Sequence, residues 1–163
     1  MKNWRRLCGA LLVGFLSYLG LARVSGGAYP TPGIPLGGDL GELRRTSMTF
    51  WEDIQFKDFD RAATYHSPEK QAAVDIPFLI QRLFAVKPEA LDVMSYEVVL
   101  ADIDSTGDRG RVKTRVKVKI LVDKKIREKE VMLYFHRQDA ASPWYMELED
   151  SLRRLTADED KVH

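Results

Sequence analysis

The spacing of the apolar residues changes near residue 95 of this chain. Before that point they recur at three- and four-residue steps, the period of one helix face, as in Leu43, Phe50 and Ile54. Asp75 directly precedes Ile76-Pro77, which is the pattern of a helix cap followed by proline in the first turn. The pattern therefore predicts several helices between residues 40 and 87, and one more helical turn over residues 88–94.

After Ser95 the period becomes two. From Val112 to Ile120, apolar residues and one threonine alternate with lysine and arginine. This alternation is typical of strands with one buried face, and it predicts strands over residues 95–104, 112–120, 125–137 and 144–148. Helices followed by a four-stranded antiparallel meander give an α+β fold, with the N-terminal helices packed on the apolar face of the sheet.

The charges predict how the second and third strands pair. Pairing Val122 with Lys125 places Lys119 opposite Glu128 and sets apolar residues opposite one another. A slip of one residue would bring like charges together and would turn the apolar residues outward. Opposite charges across strands contribute roughly 0.2–1 kcal/mol each, so we predict the first register.

The first 28 residues have the pattern of a signal peptide. Three basic residues precede the charge-free run from Leu7 to Ala22, and small residues follow it up to Ala28. Residues 29–41 are rich in Gly and Pro and predict a tether; residues 42–155 form the α+β domain, and residues 156–163 form a loose polar tail. The alternative is an uncleaved segment that anchors the domain in the inner membrane.

Composition limits the classes of function. The chain carries 25 Lys+Arg and 24 Asp+Glu, a net charge of +1, which gives no strong field for nucleic acid. Removing residues 1–28 takes away four positive charges and no negative ones, which leaves 21 against 24 and a net charge of −3. Cys8 is the single cysteine and would leave with the signal, as suits a periplasmic or extracellular protein. We expect no metal, no cofactor and no nucleic-acid partner.

Three short motifs resemble the nuclear transport factor 2-like superfamily, also called cystatin-like or α+β roll proteins. They are Phe50-Trp51-x-x-Ile54, Lys57-Asp58-Phe59-x-x-Ala62-x-x-Tyr65 and Trp144-Tyr145-Met146. The resemblance covers residues 42 to about 150 and implies a cone-shaped roll. The superfamily includes ketosteroid isomerases and dehydratases as well as exported, non-catalytic binding and assembly domains, so the fold alone does not choose between them.

The resemblance also implies where catalytic groups would lie. The enzymes place a tyrosine on the first helix and a carboxylate after the second, and these positions fall near Phe50 and Ala73 here. Neither residue can move a proton or donate to an oxyanion, which counts against an isomerase. An enzyme of this type would have to use Asp75 with Tyr65 or His66.

Two further sets of residues are candidates for binding. Four residues predicted between the helices and the sheet form either a filled core or a pocket for an apolar ligand: Trp51, Phe78, Phe84 and Val116. Six residues predicted on the opposite sheet face form a candidate interface, through which two copies could pair: Lys113, Arg115, Lys117, Met132, Tyr134 and His136. The alternative for the second set is a solvated face neutralised by Glu128 and Glu130.

Taken together, these patterns predict an exported domain of a bacterial envelope with a binding or assembly role and no catalysis. The partner is another protein or a second copy of the chain. Two alternatives stay open: an isomerase- or dehydratase-type enzyme, and a membrane-anchored periplasmic subunit of a secretion complex.

Overall fold

The computed structural model describes residues 38–159, and these form an α+β fold. The helices are α1 (Asp39–Phe56), α2 (Phe59–Ala63), α3 (Pro68–Gln71), α4 (Ile76–Phe84) and α5 (Leu148–Glu159), with a 3₁₀ turn at Pro88–Ala90. The strands are β1 (Leu91–Ile103), β2 (Arg109–Ile120), β3 (Ile126–His136) and β4 (Tyr145–Met146). They form one antiparallel sheet in the order β1-β2-β3-β4, so the predicted fold class is confirmed.

Some predicted boundaries were wrong. β1 begins at Leu91 rather than after Ser95, because Leu91 and Val93 are already buried in alternation with exposed neighbours. The predicted last strand is shortened to two residues, and α5 begins at Leu148 and extends through Glu159, into the segment predicted as a loose tail from residue 156. Asp39–Gly41 lie in the first turn of α1. The predicted signal, the tether up to residue 37 and the last four residues lie outside the described residues.

The chain divides between Glu42 and Leu43, and the packing described below is that of the unit from Leu43 onward. In that unit one face of α1 packs on the inner face of the sheet. Its residues there are fully buried: Leu43, Phe50, Trp51 and Ile54. The helix approaches β2 closely at Gly110, where an added Cβ would lie 2.5 Å from Leu43 Cδ1. Burial of apolar surface between these elements is the main stabilising contribution to the fold.

The register of β2 and β3 differs by two residues from the prediction. Lys117 lies opposite Glu128 and Arg115 opposite Glu130. The hairpin closes at Ile120 and Lys125, whose N–H···O bond is 2.8 Å long, with Lys124 in a left-handed conformation (φ 57°). The loop is therefore longer than the two residues assumed. A shift of two keeps every side chain on its face, so the predicted alternation of buried and exposed residues is confirmed.

Candidate functional site

The space between α1 and the sheet is filled by side chains. Trp51 and Val116 are fully buried and Phe84 is 6% exposed. The Trp51 ring makes edge contacts with Phe50 and Phe84, at centroid distances of 5.3 and 6.4 Å. Its indole Nε1 donates to Thr114 Oγ1 at 2.9 Å, so the polar atom is satisfied inside the core.

Phe78 does not line this interior. It is 52% exposed, because α4 turns Ile76, Leu79 and Ile80 inward and leaves Phe78 on the outer side. There it lies with Arg82, whose guanidinium carbon is 5.9 Å from the ring centroid, beside a groove between α4 and α5. The sequence prediction that grouped Phe78 with Trp51 is therefore corrected.

Asp75 caps α4. Its Oδ1 accepts from the backbone N–H of Phe78 at 2.9 Å, which satisfies one of the free N–H groups at the helix start. This contact gives the Asp75 carboxylate a structural role as a helix cap.

We predict that Asp75→Ala lowers the free energy of unfolding by about 1 kcal/mol, because the cap is lost. Asp75→Ser keeps an oxygen acceptor at the same place and should recover most of the loss. Urea denaturation of the two variants measures the difference. A serine variant as unstable as the alanine variant would contradict the capping role.

Tyr65 belongs to a polar cluster that the sequence patterns did not predict. Its hydroxyl donates to Asp53 Oδ2 at 2.8 Å, and Arg61 Nε lies 3.3 Å from Asp53 Oδ1. Burial and the hydrogen bond to Asp53 raise the pKa of Tyr65 to about 12, so the hydroxyl stays protonated and acts as a donor. The sequence did indicate a buried carboxylate here, because Asp53 occupies a position on the apolar stripe of α1 between Phe50 and Ile54.

His66 lies in the turn after α2 and is 2% exposed. Its Nδ1 is 3.3 Å from the carbonyl oxygen of Ala63, while Nε2 is buried and has no hydrogen-bond partner among residues 38–159. Burial lowers the pKa of this imidazole below its ordinary value, so the ring is neutral at neutral pH. Within residues 38–159 no hydrogen bond or ion pair joins Asp75, Tyr65 and His66 to one another.

The six candidate interface residues all lie on the outer face of the sheet. In the middle of this face Arg115 contacts three carboxylates, Glu97 at 2.8 Å, Glu130 at 3.0 Å and Glu128 at 3.5 Å. Lys113 Nζ lies 3.1 Å from Glu130. Such exposed ion pairs add little stability, but together they neutralise the positive charges of Lys113 and Arg115.

A groove of about 620 Å³, here called the distal groove, lies at the end of the sheet where β1 ends, β2 begins and β3 ends. Its lining includes Asp102, Arg109, Arg111, Tyr134, His136 and Glu147. His136 Nδ1 is 3.2 Å from Glu147 Oε1, and Arg111 Nη2 is 2.7 Å from Asp102 Oδ2. Two of the predicted interface residues, Tyr134 and His136, therefore lie in an open groove rich in charged and aromatic side chains.

In the part of the chain that the structure describes, no group of three or more His, Cys, Asp or Glu side chains is arranged to hold a metal ion. No helix there is both long enough and apolar enough to cross a membrane. A scan against protein-family models and a search of curated proteins found no match to this chain.

Proposed function

We propose that this chain is an exported domain of a bacterial envelope that binds a partner, or assembles with one, through the distal groove and the adjoining outer face of the sheet. The observation that carries the proposal is the groove itself, because it gathers arginine, tyrosine, histidine and carboxylate side chains at one open surface. Aromatic and arginine side chains at such a surface are typical of sites where proteins bind each other.

Two observations support binding over catalysis. The space where the resembling enzymes hold a substrate is occupied by Trp51, Phe84 and Val116. Asp75 caps a helix, and Tyr65 is held as a hydrogen-bond donor to Asp53. Helices ahead of a four-stranded antiparallel sheet fit the nuclear transport factor 2-like superfamily, and other α+β folds as well. Export is proposed from the pattern of residues 1–28.

The test is site-specific crosslinking in cells. A photoreactive residue at Tyr134 should give a crosslinked species, of which a mass twice that of the chain would identify a second copy as the partner. The control position is Val122, which is 83% exposed in the β2–β3 hairpin at the other end of these strands. Equal crosslinking at Tyr134 and Val122, or none at Tyr134, would contradict the proposal.

The same preparations test the export proposal. Mass spectrometry of the chain from the envelope fraction should show a mature N-terminus near residue 29. A chain that keeps Met1 would instead support the membrane-anchored alternative.

A further inference from the structure

The two edges of the sheet differ in how far their backbone N–H and C=O groups are hydrogen-bonded. Along β3, Ser151 of α5 accepts a hydrogen bond from the backbone N–H of Tyr134 at 3.1 Å. On the other side β1 is an edge strand of 13 residues. Side chains of α1 and of the residue after it cover the start of β1: Lys57 Nζ donates to Leu91 O at 2.6 Å and Gln55 Nε2 donates to Val93 O at 2.8 Å. Among the residues described, no further hydrogen bond reaches the free side of β1 between Tyr96 and Ile103.

The backbone groups on this free side can be identified from the ladder. In an antiparallel pair, successive residues direct their N–H and C=O alternately to one neighbour and to the other side. The outward-facing residues of β1, such as Glu97 and Asp102, bond to β2. Four residues that flank Glu97 and Asp102 direct their backbone groups to the free side, and their side chains are only partly buried against the core: Tyr96, Val98, Ala101 and Ile103. An added strand would gain backbone hydrogen bonds and would also cover this apolar row.

The charge of the edge selects the kind of strand it can accept. β1 contains Asp92, Glu97 and Asp102 and no basic residue. Glu97 pairs with Arg115 and Asp102 pairs with Arg111, yet both carboxylates stay exposed at the surface. On the inner side, burial raises the pKa of Tyr96, and the nearby carboxylate of Glu52 raises it further. The edge strand therefore has carboxylates near both of its faces and no basic residue of its own.

A second copy fits this edge poorly. Antiparallel pairing of β1 with itself would bring carboxylates such as Glu97 and Asp102 of the two copies close together, and like charges opposite each other are destabilising. The bulges at Met94 and Val99 also bend the strand, a feature that limits edge-to-edge stacking of identical chains. The second bulge leaves Val99 and Leu100 exposed, at 43% and 45%, where apolar residues of a different strand can contact them.

We propose that the free edge of β1 from Tyr96 to Ile103 accepts an extended segment of a partner protein in which basic and apolar residues alternate. β2 is an example of this pattern, because Arg111–Lys119 already pairs with the other side of β1. Main-chain hydrogen bonds supply affinity in such strand addition, and alternate side chains supply specificity. The inference rests on the proposed binding role and names the class of partner.

The probe is a fluorescent peptide with the sequence of residues 111–119, RVKTRVKVK, added to the purified full chain. Fluorescence anisotropy should show binding that weakens with salt, and hydrogen exchange should show protection of Tyr96, Val98, Ala101 and Ile103. A peptide with glutamate in place of each lysine and arginine should not bind.

Two variants test the edge by different routes. Ala101→Pro removes an N–H on the free side and leaves the bonds of Glu97 and Asp102 to β2, while Glu97→Lys reverses the charge. Each should weaken peptide binding by about tenfold or more. Val122→Lys, which adds a charge at the far hairpin, should bind as the parent chain does, and thermal melting confirms that all three variants are folded.

Three outcomes would overturn the inference: binding that neither variant weakens, protection confined to the distal groove, and a chain dimer that Ala101→Pro abolishes. If crosslinking at Tyr134 persists in cells while the peptide fails to bind, the inference about the edge fails and the proposed binding role stands.

Discussion

Replacing Trp51 with alanine is expected to lower the free energy of unfolding by about 3–5 kcal/mol. The side chain is fully buried between α1 and β2, it contacts two other aromatic rings, and its Nε1 bonds to Thr114. Truncation removes this burial and leaves a cavity that closely packed neighbours cannot fill completely. Urea denaturation followed by circular dichroism measures the loss.

Phe78→Ala is the matched control. Both residues were predicted to line one interior space, yet Phe78 is 52% exposed beside Arg82. Its replacement should cost less than about 1 kcal/mol, since little buried surface is removed. Similar losses for the two variants would mean that Phe78 belongs to the interior and that the described packing of α4 is wrong.

The second large effect is a dependence of stability on pH through His66. Burial lowers the pKa of His66 in the folded chain below its ordinary value of about 6.5. As the pH falls, the unfolded chain therefore binds a proton at this residue before the folded chain does. The stabilisation is fully present above about pH 6.5 and is lost progressively below it, toward the folded pKa.

The charged groups around His66 act in both directions. Lys70 of α3 lowers its pKa further, whereas Glu147 and Glu149, near the start of α5, raise it by less than burial lowers it. His66→Asn keeps an N–H donor for Ala63 O and does not titrate, which makes it the control variant. Unfolding free energies measured between pH 7.5 and 5.5 should fall more steeply for the parent chain. Parallel curves for the two proteins would show that His66 is not buried as a neutral ring.

The sequence was sufficient to predict which face of each long strand is buried, but not the lengths of the strands and of the loop between β2 and β3. Alternation of period two follows from strand geometry, so the buried residues of β2, Val112 to Ile120, were identified correctly. The register failed because it depends on the conformation of the loop after Ile120, where Lys124 adopts a positive φ that a lysine seldom takes. Charge pairing could not correct the error, since a shift of two residues still places basic residues opposite glutamates.

The candidate site was predictable only in part. Tyr134 and His136 were placed on the outer face by alternation, but the groove around them also needs Glu147, which precedes a helix that was not predicted. Leu148 and Leu152 have the four-residue spacing of that helix. The helix was not predicted because Leu148 was assigned to the end of the last strand. Asp53 was missed because the side chains that bind its carboxylate lie outside α1: Arg61 in α2 and Tyr65 in the turn after it.

Side chains close the interior between α1 and the sheet, and on this we base the proposal that the chain acts through its outer surface. A crystal structure determined under xenon pressure tests this most directly, because xenon enters apolar cavities that water leaves empty. We expect no xenon beside Trp51, Phe84 and Val116. A xenon atom, or a bound apolar molecule carried through purification, at that place would contradict it.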